Sequence, residues 1–178
     1  MQPPSTVADS NVTYDLDRVR RFLRELFAKI DPKTGAPEGE GIRLGAQRTY
    51  IFDSPLVPFG TIGTGIPIKF RVPVVALGLV GQVDQATDVS YAQMKMRCQF
   101  GSQEDAWDDG YGQGQFAGML MLFGRFNKPF YDFVRPRFAR QSITYTATFS
   151  NVSTSVDATP TAGVRVIELD PETVPENT

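Results

Sequence analysis

The sequence predicts an α+β domain: an antiparallel β-sheet or sandwich core with an N-terminal amphipathic helix and one further short helix. Apolar residues recur every three or four positions from residue 14 to 30, most of the later chain alternates with a period of two, and no βαβ unit repeats. With 178 residues, of which 41% are hydrophobic and 21% charged, the chain is long enough for one domain with its own core. We expect an N-terminal arm over 1–12, a single domain over 13–167 and an acidic C-terminal tail over 168–178.

The composition excludes several classes of chemistry. The chain has no histidine and one cysteine, Cys98, so Ser-His-Asp triads, Cys-His dyads and His/Cys zinc sites are ruled out. The net charge of −2 supplies no global field that would hold nucleic acid or an anionic membrane. We therefore expect no enzymatic activity, no cofactor and no metal site, and we expect Cys98 to be a buried structural thiol.

No targeting segment or membrane span is expected. The first ten residues contain neither the basic region nor the apolar run of a signal peptide. The longest apolar stretch, from Val72 to Val80, is interrupted by Pro73 and Gly78 and falls far short of the roughly 20 residues that cross a bilayer. The sequence thus predicts a soluble protein made in the cytoplasm.

The first element is a helix over 14–30. Thr13 or Asp15 can cap its start, and an Asp-Pro pair stops it after its last residue. Its exposed face carries an excess of arginines, which we interpret either as a solvated face or as a surface that meets an acidic neighbouring subunit or lines a nucleic-acid channel. Arg20 and Arg24 are therefore candidate interface residues. The apolar stripe of the helix consists of Leu16, Val19, Phe22, Leu23, Leu26, Phe27 and Ile30.

Two loops rich in glycine and proline flank a short strand predicted at 48–52. The first loop covers 31–47, and the second covers 53–65. Apolar side chains on the second loop predict burial against something outside the domain, and a neighbouring subunit is the natural candidate. The candidate interface residues on this loop are Leu56, Phe59 and Ile62.

Most of the remaining chain alternates as strands do. Residues 66–74 form a period-2 run in which Pro67 and Pro73 cannot donate hydrogen bonds, which favours an edge strand. The run continues to residue 80. Further strands are predicted at 90–100, at 142–150 and, as a last short strand, at 164–167.

An acidic, glycine-rich segment over 104–114 precedes the predicted short helix at 115–126. Its order lacks the alternating acids and terminal glutamate of a helix-loop-helix calcium loop, so a solvated acidic loop is the favoured interpretation and cation binding stays an open alternative. The carboxylates concerned are Glu104, Asp105, Asp108 and Asp109.

Aromatic and basic residues interleave between 125 and 140. This mixture is typical of protein interfaces, and it also suits the stacking and charge neutralisation of single-stranded nucleic acid. The net charge favours a protein interface, or a buried core with a polar rim, over nucleic-acid binding. The candidate interface residues in this segment are Phe130, Tyr131, Arg135 and Arg137.

The order of elements resembles the small structural proteins of tailed bacteriophages, of the tail-terminator or neck-connector type. The resemblance consists of an arginine-bearing amphipathic helix near the start, from Asp15 to Ile30, long Gly/Pro loops, a β-rich remainder and extended polar termini. It implies a non-enzymatic virion protein, made in the host cytoplasm, that forms a homo-oligomeric ring, expected to be hexameric, which caps the tail tube or joins it to the head. Its implied partners are identical subunits and other tail or neck proteins. DNA would pass through the ring without specific binding, and no membrane would be involved. No motif aligns, so no residue role is carried over.

Other functions stay open at this point. Within the virion, the chain could be a tail-tube subunit or a capsid or decoration protein. From other classes, a nucleic-acid-binding module or a carboxylate- or metal-dependent hydrolase remains an alternative.

Overall fold

The computed structural model describes residues 6–83, 93–100, 103–104, 116–119, 130–141 and 144–176. Within this part of the chain one α-helix, α1, spans Thr6–Leu26, and short 3-10 helices span Glu38–Gly41 and Pro171–Thr173. The described residues also form nine strands: β1 (Leu44–Asp53), β2 (Ile66–Lys69), β3 (Val74–Val83), β4 (Met94–Phe100), β5 (Gln103–Glu104), β6 (Ala117–Gly118), β7 (Phe130–Ala139), β8 (Thr144–Asn151) and β9 (Pro160–Leu169).

The strands form two antiparallel sheets. The first has the order β1-β9-β3-β7, and the second has the order β2-β8-β4-β5 with β6 also paired to β4. The predicted antiparallel β-sheet is confirmed, and together with one helix it is compatible with the α+β class.

The main core lies between the two sheets. Tyr145, Ala147 and Phe149 on β8 point into it, as the alternation over 142–150 predicts. Cys98 on β4 is also buried there. The first sheet contributes Ala162, Val164 and Val166 from β9 and Val74, Ala76 and Leu79 from β3.

A second core cluster lies on the opposite face of the first sheet, under α1. There the helix packs its buried side chains against residues of β3 and β9. The domain therefore has three layers, helix, sheet and sheet, in the region where α1 packs on the first sheet. The buried members are Val19, Phe22, Leu23 and Phe27 of α1 and its exit, with Ile42, Val75, Leu77, Ile167, Leu169 and Val174.

The helix ends earlier than the sequence predicts, at Leu26 rather than at Ile30. After it, the chain bonds to the segment that follows the turn: Gly39 N donates to Phe27 O (3.1 Å), and Glu38 N donates to Lys29 O (2.8 Å). Gly39 lies so close to α1 that a Cβ there would stand 2.1 Å from the Leu23 carbonyl oxygen. These tertiary bonds replace the last helical turn, and Ile30 is left exposed.

The predicted run over 66–74 is split between the two sheets. Its first part is β2, an edge strand of the second sheet, as the prolines predict. The chain then crosses at 70–73 and enters β3, an interior strand of the first sheet. Phe70 and Pro73 are buried within this crossing. Their burial explains why the apolar pattern of the sequence continues from β2 into β3.

The segment predicted as an acidic tail is packed onto the domain. β9 extends to Leu169 and lies between β1 and β3, so it is not a short terminal strand. Leu169 N donates to Pro73 O (2.8 Å), and Leu169 and Val174 join the cluster under α1. The apolar contacts of Leu169 and Val174 hold this segment on the domain although the residues around them are acidic.

Several predictions fall wholly or partly outside the described residues. Residues 6–12 of the expected arm are helical in backbone, because α1 begins at Thr6; residues 1–5 are not described. Of the expected short helix only 116–119 are described, and Ala117–Gly118 forms β6 against β4 instead. Residues 105–115, which hold most of the acidic segment, are also outside.

Candidate assembly surface

The loop over 54–65, which connects β1 to β2, presents large apolar side chains to solvent. Leu56 is 56% exposed, Phe59 50% and Ile62 63%. Val152, just after β8, is 45% exposed and follows Asn151, whose amide bonds to the same loop. We call Leu56, Phe59, Ile62 and Val152 the loop patch.

One side of this loop is fixed to the segment before β9. Val57 and Ala158 exchange two backbone hydrogen bonds, Val57 N to Ala158 O (2.8 Å) and Ala158 N to Val57 O (3.2 Å). Phe59 N donates to Asp157 Oδ1 (2.9 Å). Val57 itself is buried at 1% exposure, so it anchors the loop while its neighbours Leu56 and Phe59 stay outside.

The other side of the loop runs along the end of β8. Gly63 N donates to Phe149 O (2.8 Å), Asn151 N donates to Thr61 O (2.9 Å), and Ile62 forms an isolated bridge with Ser150. These bonds continue the second sheet beyond its regular strands. The backbone beneath Ile62 is therefore held in place.

A buried side chain joins the two sides. Asn151, 2% exposed, donates through Nδ2 to Val57 O (3.0 Å) and to Val156 O (2.9 Å), and its Oδ1 accepts from Ser153 N (3.0 Å). The Ser153 hydroxyl in turn accepts from Val156 N (3.0 Å). All of these groups are partnered, so the network specifies a single loop conformation.

The result is an exposed apolar surface on an ordered backbone. A loop that is already ordered loses little conformational entropy when it binds. Large apolar side chains held in water are the usual mark of a protein-protein contact when several lie together. The arrangement suits association with another protein surface.

The candidate residues on α1 lie on a different part of the molecule. Arg20 Nη1 donates to Ile42 O (3.2 Å), and Arg24 forms an ion pair with Glu40 at 2.8 Å. Both side chains thus tie the helix to the segment around the first 3-10 helix. Their role at a subunit interface stays a prediction.

The predicted aromatic and basic segment forms β7, an edge strand of the first sheet in the described chain. Tyr131 and Phe133 pack inward, with ring centroids 6.1 Å apart, and the Arg137 guanidinium lies 5.8 Å from the Phe133 centroid. Phe130 begins the strand, and its side chain lies outside the described set. Arg135 is exposed.

The structure brings Arg135 next to α1, which the sequence did not predict. Together with Pro136 it faces Arg18 and Arg21 across a groove of about 440 Å³. Asp17, Phe22 and Glu25 complete the lining. Acidic and basic side chains are mixed there, so the groove has no strong charge of one sign.

Sequence reasoning missed both Asn151 and Val152. Both residues stand in an Asn-Val-Ser run that matches only the short glycosylation pattern, and each matters through its position beside a loop about ninety residues earlier in the chain. It also missed a polar cluster on β1, in which Tyr50 and Arg48 both bond to Glu168. Burial, and then the hydrogen bond to Glu168, raise the pKa of Tyr50, while the bond to Glu168 and its negative charge raise the pKa of Arg48.

Two further findings concern metals and membranes. Among the described residues, no three histidine, cysteine or acidic side chains lie close enough together to hold a metal ion. No helix in the described part of the chain combines the length and apolar character needed to cross a bilayer.

A scan against models of protein families finds no match to the chain, and a search of curated protein sequences finds none either.

Proposed function

We propose that this chain is a non-enzymatic structural protein that assembles with copies of itself through the loop patch. The observation that carries the proposal is the combination of exposed Leu56, Phe59 and Ile62 with a backbone fixed by hydrogen bonds on both sides. Covering the exposed half of such side chains stabilises an assembly by about 1 kcal/mol each.

The arrangement of surfaces favours a head-to-tail contact. The loop patch adjoins β8 of the second sheet, whereas α1 with Arg20 and Arg24 covers the outer face of the first sheet. A contact between two different surfaces of identical subunits closes into a ring when the rotation between neighbours permits. Among the described strands, β2 lies at the edge of the second sheet and offers a further pairing site in such an assembly.

The biological role that we propose is that of a tail-terminator or neck-connector protein of a tailed bacteriophage. Support comes from the order of elements: a helix that is amphipathic from Leu16 onward, a β-sandwich and a long loop with exposed apolar residues. In this role the ring, expected to be hexameric, would cap or join the tail tube in the virion. It would contact other tail or neck proteins, and DNA would pass through it without specific binding.

The competing nucleic-acid hypothesis loses part of its basis. Base stacking needs aromatic faces that are accessible, whereas Tyr131 and Phe133 pack into the core between the sheets. Tail-tube, capsid and decoration roles remain within the same structural class and differ in the form of the assembly.

The experiment is the solution mass of the full-length protein by light scattering, with electron microscopy of the same sample. We expect closed rings. Stacked tubes would favour a tail-tube subunit. A monomer that persists at concentrations of about 100 µM would contradict self-assembly, because contacts of useful strength would associate well below that concentration.

A further inference from the structure

A second groove lies at the open edge of the first sheet. It has a volume of about 350 Å³ and is built from three elements: β1, the crossing between β2 and β3, and the end of β9. Its lining residues are Arg48, Thr49, Tyr50, Arg71, Val72 and Glu168.

The hydrogen bonds inside the groove leave a surplus of positive charge. Glu168 Oε1 accepts from the Tyr50 hydroxyl (2.8 Å), and Oε2 accepts from Arg48 Nε (2.9 Å). Arg48 bonds to Glu168 through Nε, so its terminal nitrogens can donate elsewhere. Within the described chain no carboxylate lies within ion-pair distance of Arg71, whose side chain is exposed. The groove thus holds two guanidinium groups against one carboxylate.

The groove also borders an open strand edge. Among the described residues β9 is the only strand that pairs with β1, so the other edge of this ten-residue strand has no strand partner there. Residues 45–49 are all exposed. Such an edge offers a row of backbone donors and acceptors to an incoming extended chain.

We propose that the β1 edge, with Arg48 and Arg71, is a docking groove for an extended acidic peptide segment of a partner protein. The segment adds a strand to β1 and places a carboxylate against the Arg71 guanidinium and the free nitrogens of Arg48. Charge complementarity selects the acidic residues, and the strand edge selects the extended conformation. This goes beyond the proposed assembly, since it uses a surface separate from the loop patch.

The groove suits a peptide better than a nucleic acid. Glu168 lines the same groove as the two arginines and repels a continuous phosphate backbone, whereas a peptide can carry its charges on alternate residues only. The Tyr50 ring is half-buried and packs at right angles to the Phe70 ring, with centroids 5.3 Å apart, so only part of it is accessible to a base.

The test uses the full-length protein and a fluorescein-labelled peptide, Thr-Glu-Val-Glu-Val-Glu-Thr, with binding followed by fluorescence anisotropy at low salt. Its three glutamates lie on one face of a strand. We expect Arg71→Gln and Arg48→Gln each to weaken binding about tenfold, since each removes a charged hydrogen-bond donor. The matched control is Arg43→Gln, an exposed arginine outside the groove that pairs with Asp170 at 3.7 Å, and it should bind as the wild type does.

Two modified peptides test charge recognition and strand pairing separately. A peptide with glutamine in place of glutamate should bind about tenfold more weakly, and one with alternate N-methylated amides should lose strand pairing and bind as weakly. Arg71→Gln leaves the bonds of Glu168 intact, so its thermal unfolding should be unchanged and its loss of binding is not a folding defect. Variants of Leu56, Phe59 and Ile62 should keep peptide binding, so failure of the assembly proposal would leave this result in place.

Three outcomes would overturn the inference. The first is no peptide binding up to about 1 mM, and the second is equal binding by the wild type and Arg71→Gln. The third is tighter binding of a single-stranded oligonucleotide of equal charge, which would assign the groove to nucleic acid.

Discussion

The side-chain amide of Asn151 donates a 3.0 Å hydrogen bond to the backbone carbonyl oxygen of Val57, a residue 94 positions earlier in the chain. The same nitrogen also donates to Val156 O, so one buried side chain holds together the end of β8, the segment before β9 and the loop that presents Leu56 and Phe59. Exposed apolar residues are kept in a fixed arrangement by a polar contact beneath them. The loop patch is thus a preformed surface.

Replacing Asn151 by alanine should destabilise the domain by about 1–3 kcal/mol. The substitution removes both donated hydrogen bonds and the acceptor for Ser153 N; Val156 O loses its bond from Asn151, whereas Val57 O keeps the one from Ala158 N. Urea unfolding of the variant measures the loss. The control is Thr154→Ala at a nearby exposed position, which should change stability by less than about 0.5 kcal/mol. Equal unfolding midpoints for the two variants would show that the network does not fix the loop.

Gly78 should not tolerate a side chain. It lies at a register shift of β3 that appears against both β7 and β9, and a Cβ at this position would stand 2.1 Å from the Tyr131 carbonyl oxygen. We expect Gly78→Ala to cost about 1–3 kcal/mol through forced backbone movement. Gly41→Ala is the matched control, since nothing lies within 4 Å of its Cβ. Thermal unfolding distinguishes the two, and a Gly78→Ala midpoint as high as that of the control would refute the close approach.

The contact of α1 with the first sheet can be measured through Phe22. This side chain is 8% exposed and belongs to the cluster beneath the helix. Phe22→Ala should destabilise the domain by about 3–5 kcal/mol, because it removes a large buried ring and leaves a cavity. Glu25→Ala on the exposed side of the same helix should stay within about 0.5 kcal/mol of the wild type in guanidinium unfolding. A Phe22→Ala variant as stable as the control would mean that the helix is not docked.

Stability should depend on Tyr50 at alkaline pH. Burial and the bond to Glu168 raise the pKa of Tyr50 above its ordinary value of 10.0. Below the ordinary pKa the hydroxyl is neutral in both the folded and the unfolded protein, and its contribution to stability is fully present. As pH rises through the raised pKa, the unfolded tyrosine ionises first and the contribution is lost.

The variant Tyr50→Phe isolates this effect. At about pH 8 it should be less stable than the wild type by about 0.5–1.5 kcal/mol, because Glu168 loses a hydrogen bond. Above about pH 10 the difference in urea midpoint between the two proteins should shrink. A difference that stays constant up to about pH 11 would contradict the assigned role of the hydroxyl.

Much of the β-structure was predictable because period-2 alternation is local. Tyr145, Ala147 and Phe149 face the core as their spacing predicts, and Cys98 is buried with its strand. Boundaries set by tertiary contacts were not predictable. The helix ends at Leu26 because Gly39 approaches it, and Val174 is buried among acidic residues because α1 leaves an apolar surface that it covers.

The candidate site was predictable only where large apolar residues occur in a segment whose composition is that of an exposed loop. Leu56, Phe59 and Ile62 are apolar residues in a Gly/Pro loop, and the structure places all three in solvent. In β7, proline and arginine hid the period of a strand, and the structure turns Tyr131 inward against the core. No local pattern predicted that Asn151 fixes the loop, since this role depends on where a distant loop passes.

The most direct test of the central claim is the solution mass of a triple variant, Leu56→Ser with Phe59→Ser and Ile62→Ser, measured by light scattering beside the wild type. Ile51→Ser serves as the control, because Ile51 is 46% exposed but lies on β1 outside the loop patch. We predict that the wild type and the control form rings while the triple variant is a folded monomer with an unchanged unfolding midpoint. A triple variant that assembles as the wild type does would contradict the account.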